Sequence, residues 1–95
     1  MSRILQLIRP DEKIHAAAVM TFPERVIFTM PKPYRHFNIL HKFSDEIHSN
    51  SFEQGFITNK GRFLRRNHAF VVARERDQFI RTPDVPGKLY SEDVW

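Results

Sequence analysis

The 95-residue chain has no cysteine, which excludes disulfides and thiolate metal sites and suits a reducing compartment. Long apolar runs are also missing. The longest, AAAVM at 16–20 and AFVVA at 69–73, fall well short of the ~20 residues that cross a bilayer, so no membrane partner is expected. The opening MSRILQLIRP carries an arginine but neither the hydrophobic region nor the small-residue cleavage site of a signal peptide, and it reads as part of the mature protein. There is no internal repeat, no low-complexity tract, no G-x-S-x-G and no metal-protease motif. Nucleophilic catalysis therefore has little to rest on, and the serines at 44, 49 and 51 sit where serines ordinarily cap helix ends. The protein is expected not to be an enzyme and to need no cofactor.

What the chain does have is aromatic bulk and positive charge. A domain this small buries only about 60–65% of its unfolded surface. Nine Phe, two Tyr and one Trp compensate, since each buried ring removes on the order of 150–250 Å² from water. With few aliphatic runs beside them, some rings are expected to be covered by another copy of the chain, making a homo-oligomer. The net charge is +4 and unevenly distributed. Between Lys60 and Arg81 seven basic residues oppose Glu75 and Asp77, whereas beyond them Asp84, Glu92 and Asp93 outnumber Lys88. Such a local excess attracts phosphate-bearing partners, or else is a solvated helix face laced by i,i+4 pairs.

Alternation from Ile14 to Thr21 predicts a strand, Phe22-Pro23-Glu24-Arg25 a turn, and Val26–Met30 a returning strand. Leu40, Phe43 and Ile47 recur at helical spacing and predict a helix from about 36 to 49. Gly55–Thr58 and Arg62–Leu64 flank Asn59-Lys60-Gly61, where Gly61 can supply the positive φ of a tight hairpin. Asn67 is read as the cap of a second helix running to about Gln78, with Ala69, Phe70, Val72 and Ala73 facing inward. The prediction is an α+β fold, a small antiparallel sheet from two β-hairpins packed against two helices. One domain spans 1–95, with a core at 12–82 and a tail at 83–95 that docks, because a free end carrying Trp95 would expose an indole to no purpose.

Three constellations could carry chemistry. Arg62, Arg65 and Arg66 with Lys60 place guanidinium forks between a hairpin and a helix start, where helix N–H groups add to a phosphate cradle; the alternative is that they point separately into water. Tyr34-Arg35-His36-Phe37-Asn38 brings an aromatic, a guanidinium and an imidazole to a helix start. Arg35 and His36 are assigned to a site and Phe37 to the core. Gln54, beside Gly55, has an amide able to read a base edge. His41, Asp45 and His48 share a helix face, but without a fourth ligand they read as solvated surface.

AAAVMTFPERVIFTMPKPYRH, EQGFITNKGRFLRR and LYSEDVW resemble a family of small bacteriophage accessory proteins whose pattern includes E-Q-G-F-x-x-x-x-G-R-F and a terminal S-E-D-x-W. The resemblance covers nearly all of the chain beyond the first dozen residues. It departs from the pattern at Arg35-His36-Phe37-Asn38, where R-H-H-D is usual and a His/Asp catalytic pair is lost, and at Arg65, where an acidic helix cap is usual. The resemblance implies a phage protein acting in the host cytoplasm by interfering with host machinery, and supplies no reaction. Joined to the basic hairpin, it points to sequestration of a phosphorylated nucleotide that serves as a host immune signal. Arg35, Arg62, Arg65 and Arg66 would hold phosphate, and His36 and Gln54 would read base or ribose. The alternatives are a nucleic-acid-binding module and a protein–protein inhibitor of a host protein.

Overall fold

A computed structural model describes residues 8–95; most of the opening stretch read above as mature chain lies outside the described residues. Strands β1 (Ile14–Phe22) and β2 (Val26–Met30) are followed by short helices α1 (His36–Lys42) and α2 (Ser44–His48). Next come β3 (Ser51–Thr58), β4 (Phe63–Arg65), helix α3 (Arg66–Glu75) and a single 3-10 turn at Ser91–Asp93. The four strands form one antiparallel sheet in the order β2-β1-β3-β4. This is the α+β fold of two hairpins and covering helices that the sequence predicts.

Both hairpins lie where their turn residues place them. Thr21 pairs with Val26 across the first turn, in which Arg25 takes a left-handed φ of 58°. In the second, Gly61 sits at φ 80°, a region open to glycine at no steric cost, and its amide donates to the Thr58 carbonyl at 2.9 Å.

Pairing register and strand alternation divide the sheet into two faces. Ala17, Val19, Phe28, Met30, Phe52, Phe56 and Leu64 occupy one of them and join the core with Ile39 and Ile47 of α1–α2, Ala69, Val72 and Ala73 of α3, and Leu89 and Val94 of the tail. A bulge between Ile14 and Ala16 shifts the phase of β1, so that Ile14 and Ala17 both reach this core. The other face carries Ala16, Ala18, Met20, Phe22, Ile27, Ile57 and Phe63, none of which belongs to the core cluster.

Three helix readings need correction. The helix expected over 36–49 is interrupted at Phe43, whose φ of −112° and ψ of 32° leave the helical region, while its ring packs on Phe28 with centroids 5.1 Å apart. The second helix stops at Glu75 instead of about Gln78. Asp77 takes a φ of 53°, and the Gln78 side chain bonds both the amide and the carbonyl of Ile14, at 2.9 and 3.0 Å. That amide thus substitutes for a neighbouring strand where β1 outruns β2. Asn67 is not the cap: it lies in the first turn, and Arg65 holds the N-cap position without making a side-chain cap bond.

The tail docks on its own domain. Leu89 donates its amide to the Arg66 carbonyl at 2.9 Å, and Ile80 donates to that of Asp93 at 2.8 Å. Trp95 meets Phe56 edge-on at 6.0 Å, donates its indole N–H to the Tyr34 carbonyl at 3.2 Å and lies beneath the Lys32 ammonium at 5.1 Å.

Gly55 sits in the middle of β3 because the chains are closest there. A Cβ at this position would collide with the Leu64 carbonyl oxygen and come within 2.7 Å of the Phe63 ring. Gly55→Ala should destabilise the protein by about 2–4 kcal/mol, the cost of forcing backbone or ring aside in a packed region. Urea denaturation of both forms would measure this, with an unchanged midpoint contradicting the close approach.

Candidate functional site

The beginning of α1, the middle of β3, the beginning of α3 and the tail meet at one place. Two adjoining hollows open there. The larger, about 430 Å³, has Glu53, Gln54, Arg65, Arg66, Asn67, Lys88 and Tyr90 in its wall. The smaller, about 240 Å³, is lined by Arg35, His36, Phe37, Leu40, Gln54, Arg66, Tyr90, Ser91 and Glu92. Gln54, Arg66 and Tyr90 belong to both and form the wall the two hollows share, and together the pair makes up the cleft.

Five of the six residues singled out from the sequence, Arg35, His36, Gln54, Arg65 and Arg66, border this cleft. Arg62 does not. Its Nε donates to Glu12 Oε2 at 3.0 Å and its terminal nitrogen pairs with Oε1, while the Thr58 hydroxyl donates to the same carboxylate at 3.0 Å. Arg62 is therefore part of a structural ion pair that ties the segment before β1 to the second hairpin. Position along the hairpin explains the separation, since Arg62 precedes β4 and lies at the turn end, whereas Arg65 and Arg66 lie at the other end, where β4 passes into α3.

The arginines that reach the cleft are largely engaged. Arg66 donates to the Leu89 carbonyl and to Gln54 Oε1, both at 2.8 Å, and stacks over the Tyr90 ring at 4.2 Å. Burial pushes its guanidinium below the usual value, although arginine in a protein remains charged. Arg35 donates to the Ser91 hydroxyl at 3.2 Å and to the Trp95 carbonyl at 2.6 Å, and pairs with Glu92 at 3.3 Å. These two clamps hold the tail as a wall of the cleft. Arg65, nearly two-thirds exposed, pairs with Glu53 at 3.1 Å, and exposed pairs of this kind hold by only about 0–1 kcal/mol. Lys88 is exposed.

His36 is buried, 7% exposed, with its Nε2 2.6 Å from the Gly55 carbonyl and its ring edge-on to Phe56 at 5.0 Å. A carbonyl only accepts, so Nε2 carries the proton and Nδ1 is left with a lone pair. Burial chiefly, with the Arg66 charge adding to it, lowers the imidazole pKa to about 4 against the opposing bond to Gly55. No buried side-chain nitrogen or oxygen among the described residues lacks a partner, so Nδ1 has contact with the cleft it borders. At neutral pH the site thus contains an uncharged acceptor beside two guanidiniums.

Phe37 corrects a sequence assignment. It is 67% exposed on the rim of the smaller hollow instead of packed in the core, because α1 turns His36 and Ile39 inward and leaves the intervening position outside. His41 and His48 are exposed on the surface, and among the described residues no group of three His, Asp or Glu is placed to hold a metal ion. Tyr90, Ser91, Glu92 and Lys88 were not foreseen as site residues. The expectation that LYSEDVW docks was the available signal, since a docked tail must cover something.

The first turn of α3 has no side-chain cap. Arg65 occupies the N-cap, and its guanidinium has no acceptor to offer the helix's first amides. The ten-residue helix begins with no side-chain cap bond and with Arg65, Arg66 and Asn67 bordering the larger hollow. A helix amino end of this kind favours an anion.

The chain belongs to the phage T4 y16D protein family, whose sequence model matches residues 13–95. It is therefore a phage protein of α+β fold. Comparison with curated proteins and with solved structures finds no match. Among the described residues no helix is long and apolar enough to cross a membrane.

Two groups give the fold separate pH dependences. The folded His36 has a depressed pKa, so the unfolded chain binds its proton more readily, and the associated stability is present above about 6.5 and is lost as pH falls towards about 4. An imidazole NMR titration should show His36 as the neutral Nε2–H tautomer at pH 7, titrating near 4; a midpoint at 6 or above would contradict the burial argument. Glu12 is held down to about 2, chiefly by its hydrogen bond from Arg62. Its contribution, on the order of 3 kcal/mol, is present above about 4.5 and disappears between there and about 2. Denaturation curves of wild type and Glu12→Gln between pH 7 and 2.5 should converge only in that lower window.

Proposed function

We propose that this phage protein binds a phosphorylated nucleotide in the cleft and withholds it from a host receptor, acting as a non-enzymatic accessory protein in the host cytoplasm. The observation that carries the reading is the uncapped amino end of α3 opening on the same hollow as Arg65 and Lys88. Phosphate oxygens would accept from the positive amino end of α3 and from Arg65 once it exchanges Glu53 for the ligand, a step made inexpensive by the exposure of that pair. The base or ribose would enter the smaller hollow. There the neutral His36 Nδ1 accepts from an N–H or O–H, and the Gln54 amide, whose oxygen Arg66 already holds, retains its N–H donors. The combined space, about 430 and 240 Å³, is within the ~300–1,000 Å³ range of small-molecule pockets.

Arg35 and Arg66 have a different role in this reading from the one their sequence suggests: they build the wall and set its potential, while Arg65, Lys88 and the helix end make the direct phosphate contacts. Titration calorimetry of the purified full chain against mono-, di- and cyclic nucleotides should show saturable binding. Lys88→Glu and Arg65→Asp should each weaken it by about tenfold or more, in line with the loss of one charge-assisted contact. The ligand should be recovered chemically unchanged. Failure of every nucleotide to bind would overturn the proposal. Binding confined to single-stranded oligonucleotides, with affinity falling steeply as salt rises, would replace it with the nucleic-acid reading.

A further inference from the structure

A further hollow, about 980 Å³, is built from the end of β1 and the turn after it, from β4, from the outer side of α3 and from the connection at Pro86-Gly87. Much of its lining is carbon. Met20, Phe22, Phe63, Phe70 and Val71 all border it and are half-buried, and Phe70 packs on Phe79 with ring centroids 5.2 Å apart.

The charge around this apolar lining has one sign. Arg25, Arg65 and Arg74 border the hollow, and no Asp or Glu does. Among the described residues Arg25 has no carboxylate within ion-pairing distance. Arg74 lies over the Phe70 ring at 6.0 Å and pairs with Glu75 at 3.5 Å, while Arg65 pairs with Glu53 at 3.1 Å. Both carboxylates stand outside the lining. The three arginines are exposed, so these pairs exchange at small cost, and cations gathered around apolar walls focus a positive potential into the space between them.

We propose that this hollow is a second ligand site, which takes a small amphipathic anion: an alkyl or aromatic body carrying a phosphate, sulfonate or carboxylate head. The body would lie against the phenylalanine rings, and the head would pair with the arginines of the rim, Arg25 and Arg74 foremost. An uncharged apolar molecule would leave the arginines unused, and a nucleotide base would find no hydrogen bonds along the carbon side chains. A lipid surface is entered by protruding apolar side chains, and none of the large exposed ones borders this hollow. A dissolved molecule can enter it instead, and the volume lies at the upper end of the ~300–1,000 Å³ of small-molecule sites. The site shares only Arg65 and Asn67 with the cleft and does not rest on nucleotide binding.

Titration calorimetry of the full chain with decyl phosphate, kept below its micelle-forming concentration, should show saturable one-to-one binding. Decyltrimethylammonium should show none. Arg25→Glu and Arg74→Glu should each weaken the binding of decyl phosphate by about tenfold, the loss of one charge-assisted contact, with an unchanged circular dichroism spectrum because both side chains are exposed. Lys60→Glu makes the same change of charge at an exposed turn outside the hollow and should leave binding unaltered. Absence of binding up to about 1 mM decyl phosphate overturns the proposal. So does equal affinity for the cation, which would reduce the site to apolar contact, or equal weakening by all three variants, which would reduce it to net charge. Attachment to phosphatidylglycerol vesicles without binding of dissolved decyl phosphate overturns it as well, in favour of a lipid surface.

Discussion

The structure depends on the docking of residues 89–95 over Phe56. Leu89 is fully buried and Val94 nearly so, and Trp95 closes against the ring from the edge. A β-hairpin pair with two short helices and one of three turns has too little apolar surface to stand alone; the tail supplies the missing cover. Two arginines hold it by donating to oxygens it would otherwise leave unpaired: Arg66 to the Leu89 carbonyl, and Arg35 to the Ser91 hydroxyl and the Trp95 carbonyl. The cleft is a by-product of this arrangement. Wherever a polar segment with Tyr90, Ser91 and Glu92 is clamped over a sheet, side chains that cannot pack tightly leave a concavity with charges in its walls.

A consequence is that guanidiniums near a cavity are not all ligands. Most donors of Arg35 and Arg66 are committed to carbonyls, a hydroxyl and an amide, and leaving those acceptors unpaired would cost about 1–3 kcal/mol each. Arg65 has only an exposed carboxylate as partner, which an incoming anion can replace at small cost. The same positive charge therefore does two jobs, distinguished by burial: the buried arginines fix geometry, and the exposed cations remain exchangeable.

Much of this was legible in the chain. Turn residues at Phe22–Arg25 and Asn59–Gly61 set both hairpins, and the terminal Trp95 announced a docked tail. The convergence of Arg35, His36, Arg65 and Arg66 followed from their placement at helix starts, where chain direction changes and side chains from distant segments meet, and Gln54 reaches them from the middle of β3. Arg62 was misread because its partner, Glu12, lies 50 residues away and its spacing from the other arginines gives no hint of an opposed carboxylate. The break at Phe43 was equally hidden: its apolar spacing is helical, and only the contact with Phe28 distinguishes it. Phe37 was assigned to the core on hydrophobicity alone, which is informative for buried polar groups and much less so for exposed apolar ones.

What the cleft can discriminate follows from the groups in its walls. The cleft combines a helix amino end, exchangeable cations and a neutral imidazole, so it can discriminate by charge and hydrogen bonding within a small volume. Arg65 and its partner Glu53 both border the larger hollow. An anion that draws Arg65 away from Glu53 would leave a carboxylate in the same wall, and the exchange stays inexpensive only because both side chains are exposed to water, which solvates the group left behind.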